Sequence, residues 1–255
     1  MTSRGYSVTA LASVPVVQPG ADLCRVIVDA VAANGMTLAD GDVVVLAQKI
    51  VSKAEGRQVA LDSVSPSPAA LDLAAQTGKD ARLVELILGE AEAVVRIRPN
   101  LLIVRHRLGL VLANAGIDQS NVLPGEGSQA LLLPLDPDAS AAQLRARLAA
   151  ATGRTVAVLV IDSLGRAWRM GTTGTAIGVA GLPAVLDLRG RADLTGRKLE
   201  SSELGLADEI AAAASLAMGQ ADEGTPIVIM RGLNYAADGS DARTIIRPRE
   251  MDLFP

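Results

Sequence analysis

The chain has 255 residues, of which 49% are hydrophobic, and a formal net charge of −4 at pH 7. Its length allows one large domain or two modest ones, and its apolar content is enough for a substantial core. Aromatic residues make up only 2% of the chain and no long basic run is present, which argues against nucleic acid as a partner. The single cysteine excludes an intrachain disulfide, and the single histidine excludes a histidine-rich zinc site. No apolar run approaches the roughly 18 residues of a membrane span, so we expect a cytoplasmic protein without membrane contact.

Apolar periodicity and turn residues predict a chain of short strands and helices. Tyr6 to Ala12 alternates as a strand, residues 14–17 are extended, and Asp22 can cap a helix. Further strands are predicted at 43–46, 93–98, 101–105, 130–135, 155–161 and 227–230, and further helices at 69–77, 81–90, 139–151 and 206–218. Cys24 falls in the first helix, where a small buried side chain is the expected role. His106 is expected at a strand end or in a solvated turn.

A basic segment follows the strand predicted at 43–46. Lys49, Lys53 and Arg57 recur every four residues, so a helix would align them on one face. A solvated helix face is one interpretation of this pattern. The other is a ligand site, because the cations come directly after the end of a buried strand, where ligands of α/β proteins gather.

A second polar cluster, rich in amides, runs from Asn114 to Asn121. It contains one acid, Asp118, and follows an apolar run. One interpretation is an Asn/Asp-rich loop that satisfies its own backbone. In the other, Asp118 is a cation ligand that meets Asp162 in space, since divalent cations often bind one or two carboxylates beside phosphate oxygens.

The third cluster follows the buried strand predicted at 155–161. That strand would deliver Asp162 and Ser163 to its end, with Arg166 and Arg169 close behind. Glycines at 165, 171 and 174 would let the backbone approach a ligand. An acid for a metal and two guanidiniums for anions indicate a polyphosphate site, and the alternative is a structural turn with surface arginines. Because the chain has neither the P-loop nor the Gly-x-Gly-x-x-Gly pattern, a nucleotide site would be of an uncommon type.

Taken together, these segments resemble the γ-glutamyl ligase family of the deazaflavin coenzyme F420. The resemblance covers residues 11–231 and rests on four motifs in order: 48–57, 114–121, 162–174 and 220–226. The sequence departs from the family at Gly20-Ala21-Asp22-Leu23, where the family has Gly-Asp-Asp-Leu, and this puts any contact of the first acid in doubt. The resemblance implies an α+β fold with mixed sheets, a nucleotide site without a P-loop, and a homodimer. It also implies that residues 1–255 form a single unit of two intertwined α/β subdomains, with possible breaks near 65–68 and 165–175.

The resemblance also implies a set of site residues. Asp118 and Asp162 would bind one divalent ion, Mg²⁺ or Mn²⁺, and Ser163 and Gln220 a second, with K⁺ as an additional ion. The implied GTP site consists of Val14, Pro15, Val16, Val17, Gln48, Lys53, Asn121 and Glu223. Lys53 and Arg169 would act in catalysis as fixed donors to the charge on the transferring phosphoryl group.

The activity that the resemblance implies is GTP-dependent addition of L-glutamate to a carboxylate of the deazaflavin precursor, through an acyl phosphate. The α-amine of the first glutamate forms the new bond, and further glutamates would be γ-linked. Two alternatives stay open. One is a metal-dependent nucleotide phosphohydrolase, and the other is a non-catalytic module of a larger polypeptide that binds a nucleotide or a deazaflavin.

Overall fold

The structure, a computed structural model, describes residues 5–119 and 128–252. Its strands are β1 Ser7–Ala10, β2 Val43–Ala47, β3 Gln58–Ala60, β4 Ala91–Arg98, β5 Leu101–His106, β6 Val111–Ala113, β7 Gln129–Leu131, β8 Ala157–Arg166, β9 Arg169–Ala180, β10 Leu186–Asp187, β11 Glu203–Leu204 and β12 Ile227–Arg231. The α-helices are α1 Leu23–Ala33, α2 Gln48–Ala54, α3 Pro68–Thr77, α4 Ala81–Glu90, α5 Pro137–Thr152 and α6 Leu206–Met218. Short 3-10 helices lie at Leu61–Ser63, Asn114–Gly116, Ala242–Ile245 and Arg249–Met251.

A mixed five-stranded sheet in the order β1-β12-β2-β8-β9 forms the centre of the fold. Its one parallel pair is β2 with β8, in register from Val43 opposite Ala157 to Ala47 opposite Ile161. The remaining neighbours in this sheet are antiparallel. The predicted α+β fold with mixed sheets is therefore confirmed.

The two faces of the central sheet carry separate cores because side chains alternate along each strand. Val44, Leu46, Val158 and Val160 pack with buried residues of α1, α2 and α5. The intervening side chains of β2 and β8 pack with α6 on the opposite face. The helices α1, α5 and α6 were all predicted, and Asp22 caps α1 as expected, accepting a hydrogen bond from the backbone N–H of Arg25. Cys24 is buried, as predicted.

A third, smaller core is formed by helices α3 and α4 against the sheet β4-β5-β6. All its fully buried members lie between Leu61 and Ala130. Residues 65–68 lead into α3, and residues 165–175 lie in the hairpin of β8 and β9. The intertwining of two subdomains and its boundaries stay predictions.

Within residues 5–119 and 128–252, no helix is both long enough and apolar enough to span a membrane.

The prediction that Arg57 shares a helix face with Lys49 and Lys53 is wrong. Helix α2 ends at Ala54, and Gly56 turns the chain with a φ of +68°. Arg57 therefore points to a different neighbourhood, where its Nε donates to the carbonyl of Leu133 at 2.9 Å.

Arg57 also belongs to a charge cluster around Glu90, the last residue of α4. Nη2 of Arg57 lies 2.8 Å and Nη2 of Arg107 lies 3.1 Å from the carboxylate of Glu90. Nδ1 of His106 accepts from the N–H of Leu108, so Nε2 carries the proton and faces Glu90 at 3.3 Å. His106 is the last residue of β5, as predicted, but it is 0% exposed and not in a solvated turn. The cluster joins the turn after α2 to the end of α4 and the end of β5.

Glu90 makes the stability of the fold depend on pH. Burial alone would raise the pKa of Glu90, but His106 and the two arginines outweigh burial and lower this pKa to about 2. A carboxylate with a lowered folded pKa stabilises the fold above its ordinary pKa of 4.5, and that stability is lost as the pH falls toward 2.

We expect Glu90→Gln to lower the free energy of unfolding at pH 7 by roughly 2–3 kcal/mol, because three cationic or polar partners lose their shared carboxylate. The variant should also lose part of the pH dependence between pH 4.5 and 2, as measured by urea unfolding. Asp187→Asn is the matched control: Arg189 also lowers the pKa of Asp187, but water screens the charges of this exposed pair, so its loss should change stability little. An unchanged acid-side slope in Glu90→Gln would contradict this account.

Gly178 of β9 sets how closely α5 approaches the central sheet. A Cβ at this position would overlap the carbonyl group of Pro137, the first residue of α5. We expect Gly178→Ala to destabilise the protein by about 1–3 kcal/mol in thermal or urea unfolding. Gly89→Ala is the control, because a Cβ there meets nothing within 4 Å and alanine favours the helix. Equal stability of the two variants would be evidence against the close contact.

Candidate active site

A cleft of about 1260 Å³ opens where the parallel pairing of β2 with β8 ends. Helix α2 starts directly after Ala47, and the parallel pairing of β8 ends at Ile161. The cleft is also lined by residues 14–19, by residues near the end of β6, and by the segment that follows α6. It therefore occupies the edge of a parallel pair at which α/β proteins bind ligands.

The strand that carries Asp162 and Ser163 ends later than predicted. Strand β8 continues past Ile161 to Arg166, and its register against β9 shifts between Val160 and Ile161. Asp162 lies opposite Thr175, so it is held within a hairpin rather than at a free strand end. The hairpin fixes the backbone of both site residues, and Oδ1 of Asp162 also accepts from the N–H of Ser163 at 2.8 Å.

Asp118 and Asp162 line the same cleft, with the ammonium of Lys49 beside them. Nζ of Lys49 is 2.6 Å from Oδ2 of Asp118. Burial raises the pKa of Asp162; the Ser163 N–H and the Lys49 charge oppose this rise, and the Asp118 charge adds to it. Lys49 therefore attracts both carboxylates, and the two carboxylates repel each other. Two carboxylates close enough to repel each other, with one cation beside them, form a site that favours a further positive charge.

Asp118 reaches the cleft through a short turn, Asn114–Gly116, in which Asn114 and Ala115 both have positive φ. Asn114 has a structural role, because its Oδ1 accepts from the N–H of Leu102. Asp118 itself pairs with Leu131 through two backbone hydrogen bonds. Asn114 therefore has a structural role, and the role of Asp118 as a cation ligand stays a prediction.

The donor set at this end of the cleft suits a hard divalent cation. Carboxylate, hydroxyl and amide oxygens are offered by Asp118, Asp162, Ser163 and Gln220. The described part of the chain contains no group of three or more His, Cys, Asp or Glu side chains that could hold a metal. Two carboxylates are nevertheless the usual protein contribution where phosphate oxygens supply further ligands.

Ser163, Gln220 and Ser215 form a hydrogen-bonded row along the cleft. The Ser163 hydroxyl donates to Oε1 of Gln220 at 2.7 Å, and Nε2 of Gln220 donates to the hydroxyl of Ser215 at 2.9 Å. Ser163 and Gln220 were predicted to act together, and the structure brings them into contact. Ser215 was not predicted.

The residues predicted for the nucleotide also line the cleft, with one position outside the described residues. Val14 to Val17 form one wall, while Gln48 and Lys53 project from α2 and Glu223 lies in the segment after α6. The amide of buried Gln48 is oriented by Ser52, whose hydroxyl donates to Oε1 at 2.9 Å. Among the described residues Lys53 forms no ion pair. Asn121 lies outside the described residues.

Comparison with known proteins identifies the family. Residues 12–232 match the model of the family described as F420-0:Gamma-glutamyl ligase. The chain belongs to this family. It is 47% identical to "Coenzyme F420:L-glutamate ligase" of Methanothermobacter thermautotrophicus over 98% of this chain and 99% of the relative. Proteins of the same name from Methanopyrus kandleri and Methanocaldococcus jannaschii are 47% and 43% identical, over 93% and 84% of this chain and 93% and 85% of their own length.

The departure from the ligase family pattern at Ala21 falls beside the cleft and not in it. Ala21 packs against the larger core and is absent from the residues that line the cleft, which include 14–19. The neighbouring acid, Asp22, is present and caps α1. The substitution therefore leaves the described cleft intact.

Arg169, predicted as a catalytic cation, does not line the cleft of this chain. It is the first residue of β9 and pairs with Arg166 at the exposed tip of the hairpin. Four residues of strand separate Asp162 from this tip, which is roughly 13 Å of extended chain. The cation that does lie at the carboxylates is Lys49. The position of Lys49 directly after β2 is the sequence signal that could have identified it. The four-residue spacing instead grouped it with Lys53 and Arg57.

The glycines of the third motif differ in role. Gly165 lines the cleft, in keeping with the expectation of close backbone approach. Gly174 faces helix α6 instead, where a Cβ would lie 2.6 Å from Cβ of Ser215 and overlap the backbone of Ala211. The interpretation of Gly174 as part of a ligand contact was therefore wrong, and its role is helix packing.

Proposed function

We propose that this chain is a coenzyme F420:L-glutamate ligase that uses GTP to join L-glutamate to a carboxylate of F420-0. Membership of the ligase family and relatives of that name over nearly the whole chain support this function. The observation that carries the chemistry is the convergence of Asp118, Lys49 and Asp162 at the end of the parallel strands, in a cleft large enough for several substrates.

The proposed reaction has two steps. A carboxylate is a poor electrophile, so its oxygen first attacks the γ-phosphorus of GTP, which forms an acyl phosphate and releases GDP. The deprotonated α-amine of glutamate then attacks the carbonyl carbon, an amide bond forms, and phosphate leaves with the electrons of the broken C–O bond. Further glutamates would be added through γ-linkages. No nucleophilic side chain is needed, since the attacking groups belong to the substrates.

The chain contributes mainly position and charge to these steps. Gln48, Lys53, Glu223 and the segment Val14–Val17 would hold the nucleotide, with Asn121 as a further contact. Lys53 and Lys49 would place ammonium groups against the phosphates.

The oxygen donors would hold the divalent cations. Asp118 and Asp162 would bind one ion, Mg²⁺ or Mn²⁺, and Ser163 with Gln220 a second, while the proposed K⁺ has no assigned residue. Such ions neutralise the charge of a triphosphate and of the group in transfer.

We also propose that the ligase is a homodimer. Trp168 and Met170 are 88% and 98% exposed at the tip of the β8–β9 hairpin, and burying such side chains against a second copy would be favourable. Arg169 lies between them. For Arg169 to contribute to catalysis, the hairpin tip must reach a cleft, either in the dimer or after a conformational change.

The function is tested by incubating the protein with GTP, Mg²⁺ or Mn²⁺, L-glutamate and F420-0 and weighing the products by mass spectrometry. The expected result is a gain of one or more glutamyl units together with GDP and phosphate. Phosphate release with no mass gain would indicate a phosphohydrolase. Binding of GTP with no turnover would indicate a non-catalytic module.

Asp162→Asn tests the proposed cation site. We expect turnover to fall by roughly a hundredfold or more and GTP affinity to become nearly independent of Mn²⁺, because a neutral amide is a weak ligand. The melting temperature should be kept or raised, since burial already disfavours the Asp162 charge.

Asp138→Asn is the matched control for this variant. Burial also raises the pKa of Asp138, but its carboxylate accepts from the N–H groups of Val179 and Ala242, away from the cleft. The GTP affinity of this variant should keep its response to Mn²⁺. If GTP affinity in Asp162→Asn still rises with Mn²⁺ as in the parent protein, Asp162 is not a ligand.

A further inference from the structure

Ser215 lies within hydrogen-bond distance of a proposed cation ligand although neither the motifs nor the comparisons assign it a role. It is part of α6, one turn before the helix ends at Met218, and its side chain lines the cleft. Its hydroxyl accepts from Nε2 of Gln220 at 2.9 Å. Within the described residues this is the one hydrogen bond of the Ser215 side chain. The fold therefore gives the hydroxyl no second structural task.

Two hydrogen bonds hold the amide of Gln220 between Ser163 and Ser215, with its oxygen on the Ser163 side. Only the oxygen of an amide can bind a metal ion, since the NH₂ group has no free lone pair. The Ser163 hydroxyl donates to Oε1 of Gln220, which leaves the lone pairs of the Ser163 oxygen for a cation. With Oε1 turned to Ser163, Nε2 points away and meets the acceptor oxygen of Ser215. Each end of the amide thus has a hydrogen-bond partner, which restricts its movement.

The packing of α6 against β9 keeps Ser215 at this place. Gly174, which pairs with Ser163 across the hairpin, has no Cβ, so the backbone of Ala211 and the Cβ of Ser215 approach it closely. Gly219, with φ +74° and ψ 179°, then turns the chain out of the helix and back toward Ser163, in a conformation that favours glycine. The hydroxyl of Thr225 holds the helix end by donating to the carbonyl of Met218.

We infer that Ser215 is a positioning residue that restrains the amide of Gln220 beside Ser163, where its oxygen and the Ser163 hydroxyl together can bind the second divalent cation. This inference rests on the proposed function. In this inference Ser215 acts through Gln220 and is not itself a ligand of the ion. It acts by removing the rotational freedom of a long, exposed side chain before the cation binds, as residues behind metal ligands commonly do.

The test is a Mn²⁺ titration followed by electron paramagnetic resonance, with a non-hydrolysable GTP analogue bound and no turnover. In Ser215→Ala we expect the second Mn²⁺ to bind about fivefold more weakly, the size of effect expected for one solvent-accessible hydrogen bond, and the first to bind within about twofold of the parent value. In activity assays the Mn²⁺ concentration for half-maximal rate should rise while kcat at saturating Mn²⁺ changes little. Stability should be unchanged, because alanine suits a helix.

Gln220→Glu separates positioning from a general structural effect. A carboxylate offers an oxygen in either orientation, so Ser215→Ala should have little effect on the second Mn²⁺ in the Gln220→Glu background. Unchanged affinity in Ser215→Ala alone, or the same fivefold loss in both backgrounds, would overturn the inference. A parent protein that forms glutamylated product but binds only one Mn²⁺ would overturn it and leave the ligase function standing. A parent protein with neither property would overturn both.

Discussion

The parallel pairing of β2 with β8 is the constraint on which the rest of the site depends. Because the parallel pairing ends at Ala47 and Ile161, the residues that come next in the two segments lie at the same edge of the sheet. Lys49 follows the first strand on α2, and Asp162 follows Ile161 on the hairpin. Asp118 reaches this edge from the smaller core, and its ion pair with Lys49 joins the two parts of the protein. The sheet therefore determines where the cleft lies, and the residues beyond the paired strand ends determine its charge.

The same edge explains how the Asp162 carboxylate tolerates partial burial. An isolated buried carboxylate is costly, and burial indeed raises the pKa of Asp162. The neighbouring Lys49 charge offsets part of this cost, and a bound cation with its phosphate ligands would offset more. The site therefore carries negative charge that is only partly neutralised, and the proposed cation would neutralise the rest. Glu90 shows the opposite solution, since His106 and the two arginines already satisfy its charge and lower its pKa.

Much of the fold was predictable because local signals agreed with tertiary packing. The helix from Leu206 to Met218 has a clear apolar pattern, and Asp22 and Gly153 mark helix ends as their chemistry suggests. The errors came where tertiary contacts decide. Strand β8 runs past its apolar segment because pairing with β9 extends it, and β7 ends at Leu131, short of the predicted 135. His106 looked solvated because its arginine neighbours are charged, yet Glu90 draws His106 and Arg107 toward one buried carboxylate.

The site was predictable in its motifs but not in its geometry. The family resemblance named Asp118, Asp162, Ser163 and Gln220, and the structure brings these four to one cleft. It could not reveal that Arg169 lies at a distant hairpin tip, since sequence proximity to Asp162 suggested the reverse. Ser215 lies outside the four motifs. Gln220 comes to lie beside it because the chain turns back after Gly219. Contacts formed between segments far apart in the chain are the part that sequence patterns do not contain.

The most direct test of this account is a crystal structure with Mn²⁺ and a non-hydrolysable GTP analogue, in which anomalous scattering locates the ions. The account predicts one Mn²⁺ bound by oxygens of both Asp118 and Asp162, each about 2.1 Å away, and by phosphate oxygens. An ion held by phosphates and water alone, or the two carboxylates bound to separate ions with no shared ligand, would contradict it.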